Sequence, residues 1–93
     1  MTWFTVETRY TDDADLLAAV RPAHREYLGR LVSEERVLAG GPLADGSGGF
    51  VVFRVGDRAE LDDLLLIDPY TTEGVAVDRV VREWNIVVGP WAG

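Results

Sequence analysis

His24 is the only histidine in this 93-residue chain, so a side chain of ordinary pKa that moves protons near neutral pH has one obvious candidate. It stands in the run Arg21-Pro22-Ala23-His24, and far along the chain Asp68-Pro69-Tyr70 sets a carboxylate beside a phenol. A buried imidazole needs partners for both ring nitrogens, because one left unsatisfied costs roughly 1–3 kcal/mol. Two readings are open: a core histidine satisfied by a backbone carbonyl, or a histidine oriented by a carboxylate in a pocket. The second requires Asp68 to come close, which spacing alone does not show.

Other chemistries fare worse. A divalent cation held by His24 with Asp68 and Glu7 would have fewer nitrogen or sulfur ligands than catalytic zinc sites use. Ser33 and Ser47 do not sit in a strand-to-helix nucleophile elbow. The chain has no cysteine, hence no thiolate, disulfide or zinc-thiolate site. All nine basic residues are arginine, which excludes Schiff-base and P-loop lysine chemistry. No metal and no cofactor is expected.

The elements that must position these groups follow from periodicity. Leu16, Val20, Tyr27 and Leu31 recur at helical spacing, with Leu17, Leu28 and Val32 alongside, and His24 falls on the same inward line. Arg25, Glu26, Gly29 and Arg30 fall on the solvated side. Asp12 or Asp13 caps this helix, and Pro22 predicts a kink or a fresh start there. A fresh start would put His24 in a first turn, where the helix dipole favours a neutral imidazole. Before it, Thr2 to Tyr10 alternates as a strand, with Phe4, Val6 and Thr8 set against Trp3, Thr5 and Glu7.

Val37 to Leu43 reads as a second strand, 44–49 as a glycine-rich hairpin turn, and Phe50 to Val55 as a third strand. The turn lacks a Gly-Lys-Ser/Thr ending and leads into a strand, so it is not a phosphate loop. Asp57 caps a helix from Arg58 to about Ile67, whose inner stripe is Leu61, Leu64 and Leu65, widened by Leu66 and Ile67. Asp68-Pro69 stops that helix, and an irregular connection with room for one helical turn leads to a last strand, Ala76 to Val88. Gly89 to Gly93 is a tail whose Trp91 is expected to pack on a neighbouring surface.

The order β-α-β-β-α-β is the ferredoxin-like α+β arrangement, a four-stranded antiparallel sheet with two helices on one face, in a single domain spanning 1–93. The other face would then carry Trp3, Phe50, Trp84 and Ile86 to solvent. A second copy covering it, in a homodimer through the sheet face, closes a barrel-like sandwich. Glu7, Arg54 and Arg82 share that phase, which predicts a part-polar space between the sheets.

A formal charge of −7 disfavours nucleic acid as a partner. No apolar run approaches the ~20 residues that span a bilayer, and the chain opens on a strand pattern, so no membrane partner and a cytoplasmic location are expected.

Taken together, Arg21-Pro22-Ala23-His24, Leu38-Ala39-Gly40-Gly41-Pro42-Leu43, the glycine-rich turn and Asp68-Pro69-Tyr70 followed by Gly74 resemble the YCII-related (YciI-like) domain family, from Phe4 to about Val88. The resemblance implies a dimeric α+β barrel and a histidine–aspartate dyad, which falls on His24 and Asp68. It also implies a small acid–base enzyme of lyase or isomerase type, acting on a small, cyclic or aromatic-derived metabolite; a few relatives handle chlorinated aromatics. Arg21, Gly41, Pro42 and Tyr70 are then candidates to bind that ligand, with Arg21 as the anchor for a carboxylate or phenolate. Each also has a plain structural reading, Arg21 at the surface and Tyr70 packed after a proline turn. The competing function is a non-catalytic dimeric module that binds a small molecule or serves as an accessory subunit.

Overall fold

Residues 1–92 are described in the computed structural model, in the order β1 (Thr2–Tyr10), α1 (Ala14–Ser33), β2 (Val37–Pro42), β3 (Gly48–Val55), α2 (Arg58–Leu66), α3 (Pro69–Thr72) and β4 (Ala76–Glu83). Gly93, the end of the expected tail, lies outside the described residues. The strands form one antiparallel sheet in the order β2-β3-β1-β4, the expected ferredoxin-like α+β fold. β1, richest in β-branched and aromatic residues, takes a central place and pairs with both β3 and β4.

Register decides which side chains meet the helices. Phe4 lies opposite Phe53, and Val6 lies between Val51 and Val81, so these residues share the covered face. They pack with Tyr27 and Leu31 of α1 and Leu61 and Leu64 of α2 into the main core. The Tyr27 hydroxyl donates to the Leu64 carbonyl at 2.7 Å and ties the two helices together. A second cluster joins Val20 of α1, Tyr70 of α3 and Val75.

Several expectations need correction. Pro22 neither ends α1 nor begins a new helix: α1 runs through it, capped by Asp13, whose side chain accepts from the Leu16 amide at 3.0 Å. The proline ring is exposed and removes one amide donor, a cost offset by burial of Val20, Tyr27 and Leu31 on the same helix. His24 is therefore mid-helix, and the dipole effect expected for a first turn does not reach it.

β3 begins at Gly48, not at Phe50, because the glycines belong to the strand. A Cβ on Gly48 would collide with the Thr8 carbonyl oxygen, and one on Gly49 with the Tyr10 hydroxyl. β2 correspondingly ends at Pro42, one residue short of Leu43.

β4 stops at Glu83, short of Val88. The Trp84 amide still donates to the Trp3 carbonyl at 2.9 Å, but there β1 runs out and the next residues have no strand to pair with. The chain turns back, and Trp91 stacks on Trp3 with centroids 6.1 Å apart, the neighbouring surface expected for it. Leu66 and Ile67 do not widen the inner stripe of α2. They are 67% and 61% exposed, since Leu61, Leu64 and Leu65 already occupy the inward arc of so short a helix.

The second sheet face carries Trp3, Glu7, Phe50, Arg54, Val80 and Arg82 in register, as the alternation predicts. Phe50 and Val80 are 38% and 39% exposed in the single chain. No helix among the described residues is long and apolar enough to cross a membrane.

Candidate active site

Asp68 is placed by the sequence Asp-Pro-Tyr itself. Pro69 opens the single turn of α3 at its first position, and Asp68 caps that turn by accepting from the Tyr70 amide at 2.9 Å. The cap fixes the carboxylate against α1, where the helical step from Val20 to Tyr27 aims His24 inward. His24 Nδ1 lies 2.8 Å from Asp68 Oδ1. Of the two readings of His24, the partner is thus a carboxylate and not a backbone carbonyl.

Asp68 is 3% exposed, and a buried carboxylate is stable only when its oxygens are engaged. Its Oδ2 accepts from Arg79 Nη2 at 3.2 Å. Arg79 comes from β4 on the covered face, opposite Thr8 of β1. The same guanidinium donates through Nε to the Thr8 hydroxyl at 3.2 Å and through Nη1 to the Thr71 hydroxyl, which donates onward to the Leu65 carbonyl. Burial lowers the pKa of Arg79, with the charge of Asp68 opposing the shift. Every donor pointing at Asp68 therefore favours an acceptor-only carboxylate.

The imidazole is held on a second side. Its ring stacks on that of Tyr70, centroids 3.6 Å apart and planes 3° from parallel. Tyr10 meets Tyr70 edge-on at 5.3 Å. With Nδ1 donating to Asp68, the lone pair of His24 resides on Nε2. The His24 side chain keeps 13% of its surface exposed, so the ring is reachable.

That exposure opens on a cavity of about 280 Å³ between the helices and the covered face of the sheet. His24, Asp68, Arg21, Gly41, Pro42 and Tyr70, the residues singled out from sequence, all line it. Apolar walls come from Val6, Leu28, Val51, Phe53 and Leu65. The hollow foreseen between sheets of two copies is thus a different space from this one, which is enclosed by a single chain.

Sequence reasoning missed Arg79, Thr8, Tyr10 and Arg25, which also line the cavity. A signal existed for Arg79: it shares the inward phase of Val81, and a guanidinium carried inward on a strand needs a carboxylate to face. Thr8 had the same signal, in phase with Phe4 and Val6. Arg25 does lie at the solvated surface, but one helical turn after Arg21 it reaches the cavity mouth. Glu7 projects from the other side of β1, away from Asp68, so the two cannot share a metal ion; no group of three histidine, aspartate or glutamate side chains among the described residues could hold one.

The sheet, its covering helices and the histidine–aspartate pair at the cavity wall define a ferredoxin-like α+β protein with a candidate acid–base site. The chain belongs to the YCII-related domain family, whose model matches residues 1–85. It is 30% identical to the uncharacterized protein YjpA of Bacillus subtilis (strain 168) over 63 residues, 68% of this chain and 73% of that one. Among solved structures it is similar to 5-chloro-2-hydroxyhydroquinone dehydrochlorinase (TftG) from Burkholderia phenoliruptrix AC1100, in complex with 2,5-dihydroxybenzoquinone. That match has a TM-score of 0.78 at 21% identity and covers 88% of this chain and 92% of that one. Muconolactone isomerase matches with a TM-score of 0.65 at 17% identity, over 99% and 94% of the two chains. At such identities the likeness establishes the fold.

Proposed function

We propose that this protein is a small cofactor-independent acid–base enzyme of lyase or isomerase type, with His24 as the proton carrier and Asp68 as its orienting partner. The observation that carries the proposal is the 2.8 Å contact between His24 Nδ1 and Asp68 at the wall of a cavity. In the reaction, Nε2 takes a proton from an acidic carbon or oxygen of the ligand, and Asp68 stabilises the imidazolium that results. The same nitrogen returns the proton to another atom of the ligand or to a leaving group. General acid–base help of this kind is worth about 10²–10⁴-fold in rate.

The substrate class is a small cyclic or aromatic-derived metabolite, bound by Arg21, Gly41, Pro42 and Tyr70. Support comes from the cavity's modest size and apolar walls, and from fold neighbours described as a dehydrochlorinase and a muconolactone isomerase. The acidic, cysteine-free composition fits a cytoplasmic setting. The assembly in this proposal is a homodimer through the open sheet face, which would cover Trp3, Phe50 and Val80.

A second reading has one observation in its favour. Asp68 Oδ1 also caps α3, so the dyad has a structural duty that a non-catalytic binding or accessory module would need equally. Exchange of ligand C–H for deuterium separates the two. Wild-type protein in D₂O should label enolisable cyclic ketones or lactones, and His24→Asn should slow labelling at least 10²-fold. Binding without any labelling across such a set supports the module and sinks the enzyme.

A further inference from the structure

The charge around the cavity runs against the charge of the chain. The protein carries −7 overall, yet Arg21, Arg25 and Arg79 line the cavity against one carboxylate, Asp68, that Arg79 already engages. Arg21 and Arg25 are exposed, one helical turn apart on α1, and neither forms an ion pair among the described residues. Arg36 pairs with Glu34 at 3.3 Å and Arg58 with Asp62 at 2.8 Å, while the exposed Arg9, Arg30 and Arg82 are unpaired as well among the described residues; Arg21 and Arg25 stand apart because both line one cavity. With sixteen acidic residues available, two unpaired guanidiniums side by side at the mouth of a cavity concentrate positive potential there.

Tyr10 completes the mouth. Its hydroxyl sits over Gly49, the strand position where a Cβ would occupy its place, and its ring is braced edge-on against Tyr70. Burial raises its pKa and the charges of Arg21 and Arg25 pull the other way, which keeps the phenol a proton-bearing donor near neutral pH and puts both guanidiniums within electrostatic reach of it. The deeper wall is the opposite in character: Val6 and Phe53 are buried hydrocarbon. A ligand matching both parts has a small apolar ring at one end and an anion at the other.

We propose that the cavity selects small cyclic monoanions, ring carboxylates above all, with Arg21 and Arg25 holding the charged group and the Tyr10 hydroxyl donating to it. The assignment deepens the acid–base reading, since it names the substrate class of the same site, but it stands or falls separately. A carboxylate anchored at the mouth sends the ring inward, toward His24 Nε2. The paired cations also draw anions to an otherwise repellent surface, so capture should weaken as salt rises.

Binding isolates this claim from catalysis. Benzoate, 3-hydroxybenzoate and cyclopentanecarboxylate are titrated against the corresponding amides, following the backbone amide signals of Gly41, Gly49 and Tyr70 by NMR. The acids should bind roughly tenfold or more tightly than the amides, as charge-assisted hydrogen bonds predict. Arg21→Gln with Arg25→Gln, both at exposed positions, should bring that ratio below about twofold, and Tyr10→Phe should lower it part way. His24→Asn should keep the preference. Equal binding of acids and amides, a preference untouched by the double arginine variant, or no binding by either series overturns the proposal. If the acids lose while ligand C–H exchange persists, the acid–base reading survives alone; if exchange is absent while the acids win, the anion site survives alone.

Discussion

The rings of His24 and Tyr70 lie face to face, 3.6 Å between centroids, while Asp68, two residues before Tyr70, holds the Nδ1 edge of the same imidazole. One short segment thus fixes both the face and the edge of the histidine. Tyr70→Phe keeps the stack and should change stability by less than about 1 kcal/mol. Tyr70→Leu removes it, and should cost about 2–4 kcal/mol in urea unfolding while broadening the His24 ring signals in ¹⁵N NMR. Sharp ring signals in that variant would argue that Asp68 alone orients the imidazole.

Asp68→Asn preserves a capping oxygen for the Tyr70 amide but removes the charge facing Arg79. Stability should fall by about 3 kcal/mol, because a buried guanidinium is left without its counter-ion. Circular dichroism should stay native, and any proton exchange catalysed on a ligand should drop at least 10²-fold. A variant as stable as the wild type would show the ion pair to be dispensable.

Arg79→Lys should not substitute for Arg79. A single ammonium cannot serve Asp68, Thr8 and Thr71 from one fork, and a loss of about 2–4 kcal/mol is expected by chemical denaturation. Rescue of stability by lysine would reduce the role of Arg79 to that of a point charge.

Alkaline stability should report Tyr27. Burial, with the charge of Asp68 adding to it, pushes its phenol from 10.0 up to about 12. The unfolded chain therefore loses this proton first. The contribution is fully present below pH 10 and is lost as pH rises towards 12, by roughly 2–3 kcal/mol in all. Tyr27→Phe should flatten that part of the stability curve; an unchanged slope between pH 10 and 12 in the variant counts against the assignment.

Dimerisation through the open face predicts a further result. Phe50 sits there at 38% exposure beside Val80, its neighbour across β1 on the same side of the sheet. Phe50→Arg should shift the sedimentation coefficient from that of a dimer to that of a monomer without disturbing the covered core. A wild-type protein that sediments as a monomer at high concentration excludes the arrangement.

Periodicity made the sheet and the inward aim of His24 legible, because a step of four and then three residues on a helix leaves little freedom of direction. The partner was legible only as a motif, since nothing local in Asp68-Pro69-Tyr70 states what the carboxylate faces. Arg79 is hard to read from sequence because a charge on the helix-covered face of a strand runs against the apolar pattern of its neighbours, and its partner Asp68 lies on another element. Pro22 misled for the opposite reason: its local rule is strong, but a continuous buried stripe on both sides outweighed one lost hydrogen bond. The ends of β3 and β4 depended on tertiary facts, the close approach of Thr8 to Gly48 and the length of β1, that no local signal carries.

A single atom, Asp68 Oδ1, receives both the Tyr70 amide and His24 Nδ1. The turn it caps has only four residues and borrows its order from its surroundings. Fraying of that turn would free the imidazole at the same moment, so if the proposed acid–base role holds, proton transfer should fail on warming before the sheet unfolds.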